Sequence, residues 1–230
     1  MSNGADYDHQ LHAAMTELAN NFPLDAGDVH ETLATVTAAA VELIRGVDHA
    51  DILLIDAGHF DSIAPTAPIA KEIDIIQQRF QEGPCLQAAV GGSLIRCTDL
   101  RDEPRFPQFA TEATKLGVHS MLSFQLYMHR SGAGALNLLG CTPRAFSQEA
   151  EALGAMLATH AALALAAANT REQFHSALAS RDHIGQAKGI VMERFDVDAV
   201  QAFAMLKTLS QESNTPLRQL AERVIDSRGQ

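Results

Sequence analysis

Between Ser147 and Phe195 the chain offers almost nothing that would end a helix. The stretch has no proline, and its glycines stand only at positions 154, 185 and 189. Proline removes a backbone donor and clashes with the preceding turn, so its absence over so long a stretch permits one nearly continuous helix. Ser147 supplies an N-cap hydroxyl, and Glu149 and Glu151 place negative charge on the first turn, where the helix dipole favours it. Unbroken, this helix reaches roughly 70 Å. A break near Asn169 or Ser180 is also compatible with the sequence.

The flanks of that helix differ in pattern. Upstream, Leu11, Met15, Leu18 and Phe22 give residues 8–22 one apolar face, and a second helix follows the cap Asp28 through Leu33, Val36, Ala40 and Leu43 to Ile44. The period then changes. Residues 50–57 form a compact apolar run expected to be a buried strand, with 60–67 as its hairpin partner after Gly58. Helices are expected at 70–81, stopped by Gly83-Pro84, and at 105–117, closed by Gly117. Strands are expected at 93–100, 120–128 and 132–141, the last two joined by a short turn at Ser131-Gly132. Downstream, Asp198 caps a helix carrying Ala199, Ala202, Phe203, Leu206 and Leu209. Thr215-Pro216 opens another with Leu217, Leu220, Ala221, Val224 and Ile225 at helical spacing. The order predicts an α+β fold: a sheet domain with helices, a long linking helix and a three-helix unit.

Charge divides the chain in the same way. Residues 170–230 carry eight Lys/Arg and eight Asp/Glu, so the rest of the chain holds the whole formal charge of −11. An acidic body with a neutral, arginine-containing tail reads as two modules with different partners. It excludes nucleic-acid binding over the whole surface. The polar start "MSNGADYDHQ" lacks the order of a secretory signal, and the odd set Cys85, Cys97 and Cys141 contains no CxxC. Reduced thiols in a cytoplasmic protein are the expectation. The segment 152–169 is the most apolar, but Thr159 and His160 interrupt it, and it reads as a buried helix with no membrane partner.

Within "RDHIGQAKGIVMERF" (181–195), Ile184, Ala187, Val191 and Phe195 recur at helical spacing, while Gly185 and Gly189 each cost roughly 1 kcal/mol against alanine. Arg181, Gly185, Lys188 and Met192 fall in one band beside the apolar stripe, with Gly189 at its edge. Such glycines serve either close helix packing or the approach of a nucleic-acid backbone or base.

The segment 181–225 closely resembles the ANTAR domain, through Arg181, "IGQAKGIVMER" (184–194), "AF" (202–203), Leu206, "SQ" (210–211) and the "LRQLA" opening of the last helix. The resemblance implies an RNA-binding module acting in transcription antitermination. It makes Arg181, Gly185, Gln186, Lys188, Gly189, Arg194 and Arg218 the candidate RNA-binding residues, with Lys207 a weaker one. The body is similar to GAF domains as they occur beside ANTAR in actinobacteria, through "EGPCLQA" (82–88), residues 99–126 and "GALNLLG" (134–140). Where that pattern has Arg-Trp-Pro, this chain has Phe106. The cyclic-nucleotide signature of GAF domains is absent from the sequence, so cyclic GMP is not implied. The expected limits are 1–24 for an N-terminal helix, 25–168 for the sensor and 169–230 for the RNA-binding unit.

Helical crossovers lying over the sheet are expected to leave a mainly apolar ligand pocket on one face, near Cys85, Phe106, Phe109 and Leu122, with no cofactor and an unidentified signal. The expected partners are RNA hairpins, a small molecule at the sensor and a second copy of the chain. The homodimer rests on Leu153, Met156, Leu157, His160, Leu163 and Leu165, more apolar surface than one sheet can cover. Two rivals compete with this non-enzymatic regulator. A DNA-binding helix-turn-helix would need a strongly basic recognition helix, which a net-neutral tail disfavours. A GAF-fold redox enzyme would use Cys85, with His119 or Asp99 as its partner. His9 and His12, three apart, are read as ordinary side chains and not as metal ligands.

Overall fold

The computed structural model describes residues 28–56, 58–126 and 132–227. The helix expected over 8–22, with His9 and His12, lies outside them. Asp28 accepts a hydrogen bond from the His30 N–H at 3.0 Å and caps helix α1 (Val29–Leu43), whose Leu33, Val36, Thr37 and Ala40 form the buried face. The apolar run becomes β1 (His49–Asp56), paired antiparallel with β2 (His59–Ile63). The second strand is shorter than expected. At Ala64 the backbone turns left-handed (φ 50°), and the chain leaves the sheet.

Helix α2 (Pro68–Phe80) ends on Gln81, also left-handed. Gly83-Pro84 does more than stop it. It also starts α3 (Pro84–Gly91), a helix the sequence reading omitted. Proline is pre-set for the first turn and surrenders no hydrogen bond there, so one dipeptide ends one helix and opens the next. The remaining elements of this region are β3 (Leu94–Cys97), α4 (Pro107–Lys115), β4 (Ser120–Leu126) and β5 (Gly132–Gly140). The five strands form one antiparallel sheet in the order β2-β1-β5-β4-β3.

Strand alternation sends alternate side chains into two cores. On one face Ala50, Ile52, Leu122, Phe124, Leu136 and Leu138 pack under α1 and the start of α5 (Gln148–Phe195). On the other, Leu53, Met121, Ala135 and Leu139 meet Ala70 and Ile73 of α2, Cys85 and Ala88 of α3, and Phe109 and Ala113 of α4. Each fully buried leucine contributes roughly 1.5–3 kcal/mol.

Ser147 caps α5, its hydroxyl accepting from the Ala150 N–H at 3.2 Å, and the helix continues without a break to Phe195. By length and composition α5 could cross a membrane. Its Leu153, Leu157, Ala158 and Ala161 are nevertheless buried in the sheet domain's core. This corrects the dimer stripe: Leu153 and Leu157 cover the chain's own sheet, while Leu163 stays 50% exposed.

The chain divides into two compact units, one ending at Ala168 and the other beginning at Asn169. In the second, α5 turns at Asp196 (φ 52°) into α6 (Ala199–Glu212), and α7 (Leu217–Asp226) follows. Asp198 and Gln201 form a capping box on α6. Pro216 stands at the N-cap of α7 rather than in its first turn. Ala187, Val191, Ala202, Leu206, Leu220 and Ala221 form the small core of this unit. Phe195, read as part of the apolar stripe, is 56% exposed because the helix ends there.

Candidate nucleic-acid interface

The core of the second unit decides which side of α5 meets solvent. Ile184, Ala187 and Val191 turn inward; in the adjoining band Arg181 and Gly185 are exposed and Lys188 is half-buried, while Met192, expected in the same band, packs against the core. Ala187 and Ala202 share the core of the unit, and Phe203, the next residue on α6, stands beside the band. The result is a cleft of about 640 Å³ lined by Arg181, Asp182, Ile184, Gly185, Gln186, Lys188 and Phe203. A Cβ placed on Gly185 or Gly189 would meet nothing within 4 Å. Packing within the unit therefore does not require either glycine, and bare backbone is left on an open surface.

Four of the expected residues, Arg181, Gly185, Gln186 and Lys188, line the cleft. Gly189 is exposed but outside the lining. Arg194 occupies the last turn of α5, where a cation also favours the helix dipole. Arg218 bonds Glu222 at 3.1 Å and donates to Ser176 Oγ at 3.1 Å, so it fastens α7 to α5. Lys207 is exposed on α6, away from the cleft lining.

Two lining residues escaped the sequence reading. Phe203 was assigned to the apolar face of α6, yet it is 42% exposed because Ala202 and Leu206 take the inward positions. Its place one residue after a buried alanine was the available signal. Asp182 was not among the expected residues. The cleft joins two cations, an exposed aromatic ring and bare backbone, a combination suited to phosphates and unstacked bases.

Family comparisons agree with this division. The ANTAR domain profile matches residues 172–225, and the GAF domain profile matches residues 26–166. The chain belongs to the GAF-domain family and carries an ANTAR domain. No curated protein matches it. Among solved structures, it is similar to a free methionine-R-sulfoxide reductase from Neisseria meningitidis, with 17% identity, 74% of this chain and 95% of that one covered, and a TM-score of 0.53. A GAF domain from a phosphoenolpyruvate-protein phosphotransferase of Coxiella burnetii shares 18% identity over 75% of this chain and 99% of that one, with a TM-score of 0.51. The phytochrome photosensory core module of Stigmatella aurantiaca shares 17% identity over 90% of this chain and 45% of its own, with a TM-score of 0.55. At these identities the likeness is one of fold.

In the GAF domain, Cys85, Phe106 and Phe109 share the packed core beneath α2, α3 and α4. Leu122 does not join them. It faces the opposite core, because alternation along β4 points it under α1 and α5. A surface cleft of about 580 Å³ reaches Phe106, between Glu82, Gln87 and Arg105, but not Cys85 or Phe109.

The sheet also carries a buried polar cluster that the sequence pattern does not signal. Ser123 Oγ donates to Asn137 Oδ1 at 2.8 Å, and Asn137 Nδ2 donates to Asp51 Oδ2 at 3.2 Å. Asp51 and Asp74 are both buried and close enough for their charges to act on each other. Burial raises the pKa of both, and the neighbouring Asp74 charge pushes Asp51 further. Desolvation, then Asp74 and Asp51, also push the Cys85 thiol well above its ordinary range. The neighbours of Cys85 are thus acids, and neither His119 nor Asp99 serves it. Asp99 is engaged by Arg101 at 2.6 Å. A sealed thiol held in its protonated form is a poor nucleophile, which counts against the redox reading. A GAF sensor joined to an ANTAR domain makes the chain a signal-responsive regulator.

Proposed function

We propose that this regulator binds RNA hairpins through the α5–α6 cleft and acts by transcription antitermination, holding RNA in a form that excludes a terminator. The carrying observation is the cleft itself: Arg181 and Lys188 stand beside Phe203 over a glycine that internal packing does not need. The cations meet phosphate, the ring stacks an unpaired base, and Gly185 leaves room for it. The GAF domain receives the signal, with the cleft at Phe106 as the place for a small molecule. Leu163 on α5 is 50% exposed and supplies apolar surface for a second copy of the chain. The regulator works in the cytoplasm, where nascent RNA is available.

Single-round transcription through a terminator preceded by a bound hairpin tests this reading. The wild-type chain increases read-through, and the Arg181→Ala, Lys188→Ala variant does not. Equal read-through by both removes the assignment. Preference for duplex DNA over the hairpin at equal salt decides for the DNA-binding rival. A monomer mass in light scattering at micromolar concentration removes the dimer.

A further inference from the structure

Asp182 is the odd member of the α5–α6 cleft. It shares the lining with Arg181 and Lys188, yet a carboxylate repels the phosphates that those cations attract. Its side chain has no structural task to explain it. Among the described residues it makes no ion pair and no hydrogen bond, and it stands in mid-helix, far from any terminus it could cap. The ANTAR segment also carries balanced charge, so phosphate attraction alone gives it little affinity, and base contacts must supply the discrimination.

We propose that Asp182 is a specificity-determining residue that reads the Watson–Crick edge of an unpaired guanine stacked on Phe203. This rests on the RNA-binding reading of the cleft. An ionised carboxylate only accepts hydrogen bonds, through two oxygens side by side. Guanine presents two adjacent donors on that edge, N1–H and the 2-amino group. Adenine and cytosine pair one amino donor with an acceptor nitrogen, which would oppose the second carboxylate oxygen. Uracil sets its single N–H between two carbonyls. Only guanine satisfies both oxygens at once. Gly185, one turn along α5 from Asp182, leaves space for the base to enter edge-on, and Arg181 and Lys188 hold the flanking phosphates.

The test uses the full chain and a library of RNA hairpins with a common stem and a randomised loop. The wild type should retain loops carrying guanine at one position. The Asp182→Asn variant, isosteric and on an exposed helix face, should lose that enrichment by roughly tenfold or more, the usual worth of a bidentate base contact. In a retained hairpin, replacing that guanosine by inosine, which keeps N1–H but lacks the 2-amino group, should weaken wild-type binding severalfold and leave the variant nearly unchanged. The same loop preference in both proteins overturns the proposal. Uniformly tighter binding by the variant to every loop also overturns it, since the carboxylate then only repels phosphate. If neither protein distinguishes a hairpin from its bare stem, the RNA reading fails and this inference with it.

Discussion

Helix α5 carries the same residue to opposite ends in different roles. At its first stretch, a Cβ on Gly154 would lie 2.5 Å from the Phe124 ring and 3.0 Å from Leu138 Cδ1, so glycine is what lets the helix settle on the GAF sheet. In the ANTAR stretch, Gly185 and Gly189 face open space. One glycine is required by what touches it, and the other two are not explained by anything that does. Charges separate in the same manner. Asp51 and Asp74 are buried together, whereas Arg181, Asp182 and Lys188 line an open cleft. The GAF end uses polar groups inside a packed core. The ANTAR end presents them outward, where an exposed side chain costs little stability and can be committed to a partner.

The largest effect is expected from Gly154→Ala. Overpacking against Phe124 should cost about 1–3 kcal/mol, against the usual gain of alanine in a helix. Thermal unfolding followed by circular dichroism should then show a Tm lower by roughly 2–4 °C per kcal/mol. An unchanged or higher Tm would mean that the sheet yields and the glycine is not needed. Next comes the Arg181→Ala, Lys188→Ala variant. It should bind a hairpin about tenfold more weakly or worse, and two lost phosphate contacts should make the salt slope shallower by about 1.4. Its Tm should stay close to that of the wild type.

A smaller effect of opposite sign is expected at the other glycines. Gly185→Ala and Gly189→Ala should each stabilise the helix by roughly 0.5–1 kcal/mol, and hairpin affinity should fall for Gly185→Ala, whose new methyl enters the cleft. A loss of stability in either variant would show that the helix packs against something there after all.

The finest test concerns pH. Asp51 keeps its proton in the folded chain above the ordinary carboxylate pKa of 3.8. Its contribution is therefore complete below that value and is lost as pH rises toward the raised folded-state pKa. Asp51→Asn retains a donor toward Asp74 without a titrating proton. It should raise Tm at neutral pH, do little in acid and flatten the dependence between. An equal Tm shift at all pH values would show that Asp51 is not the proton holder.

Much of this was legible in local pattern. The caps Asp28, Ser147 and Asp198 act as expected, because capping needs only a side-chain oxygen and the next few N–H groups. The ANTAR segment showed the band of Arg181, Gly185 and Lys188, since helical periodicity alone puts them on one side. Helix α3 was hidden, for Gly83-Pro84 carries the signal of a stop and of a start together.

What the sequence determined by itself was therefore short-range: element types, most of their ends, the neutral tail on an acidic body, and the two family resemblances. Tertiary structure decided what each periodic face meets. It sent Leu122 to the core opposite Cys85, Phe106 and Phe109, because a strand's two faces are equivalent until the helices cover them. The turn after Phe195 brought Phe203 back beside Lys188, while Glu222 and Ser176 engaged Arg218. The same folding brought Asp51 and Asp74 together from different elements. Contacts between distant parts of a chain depend on how whole faces pack, and no spacing within one segment contains that information.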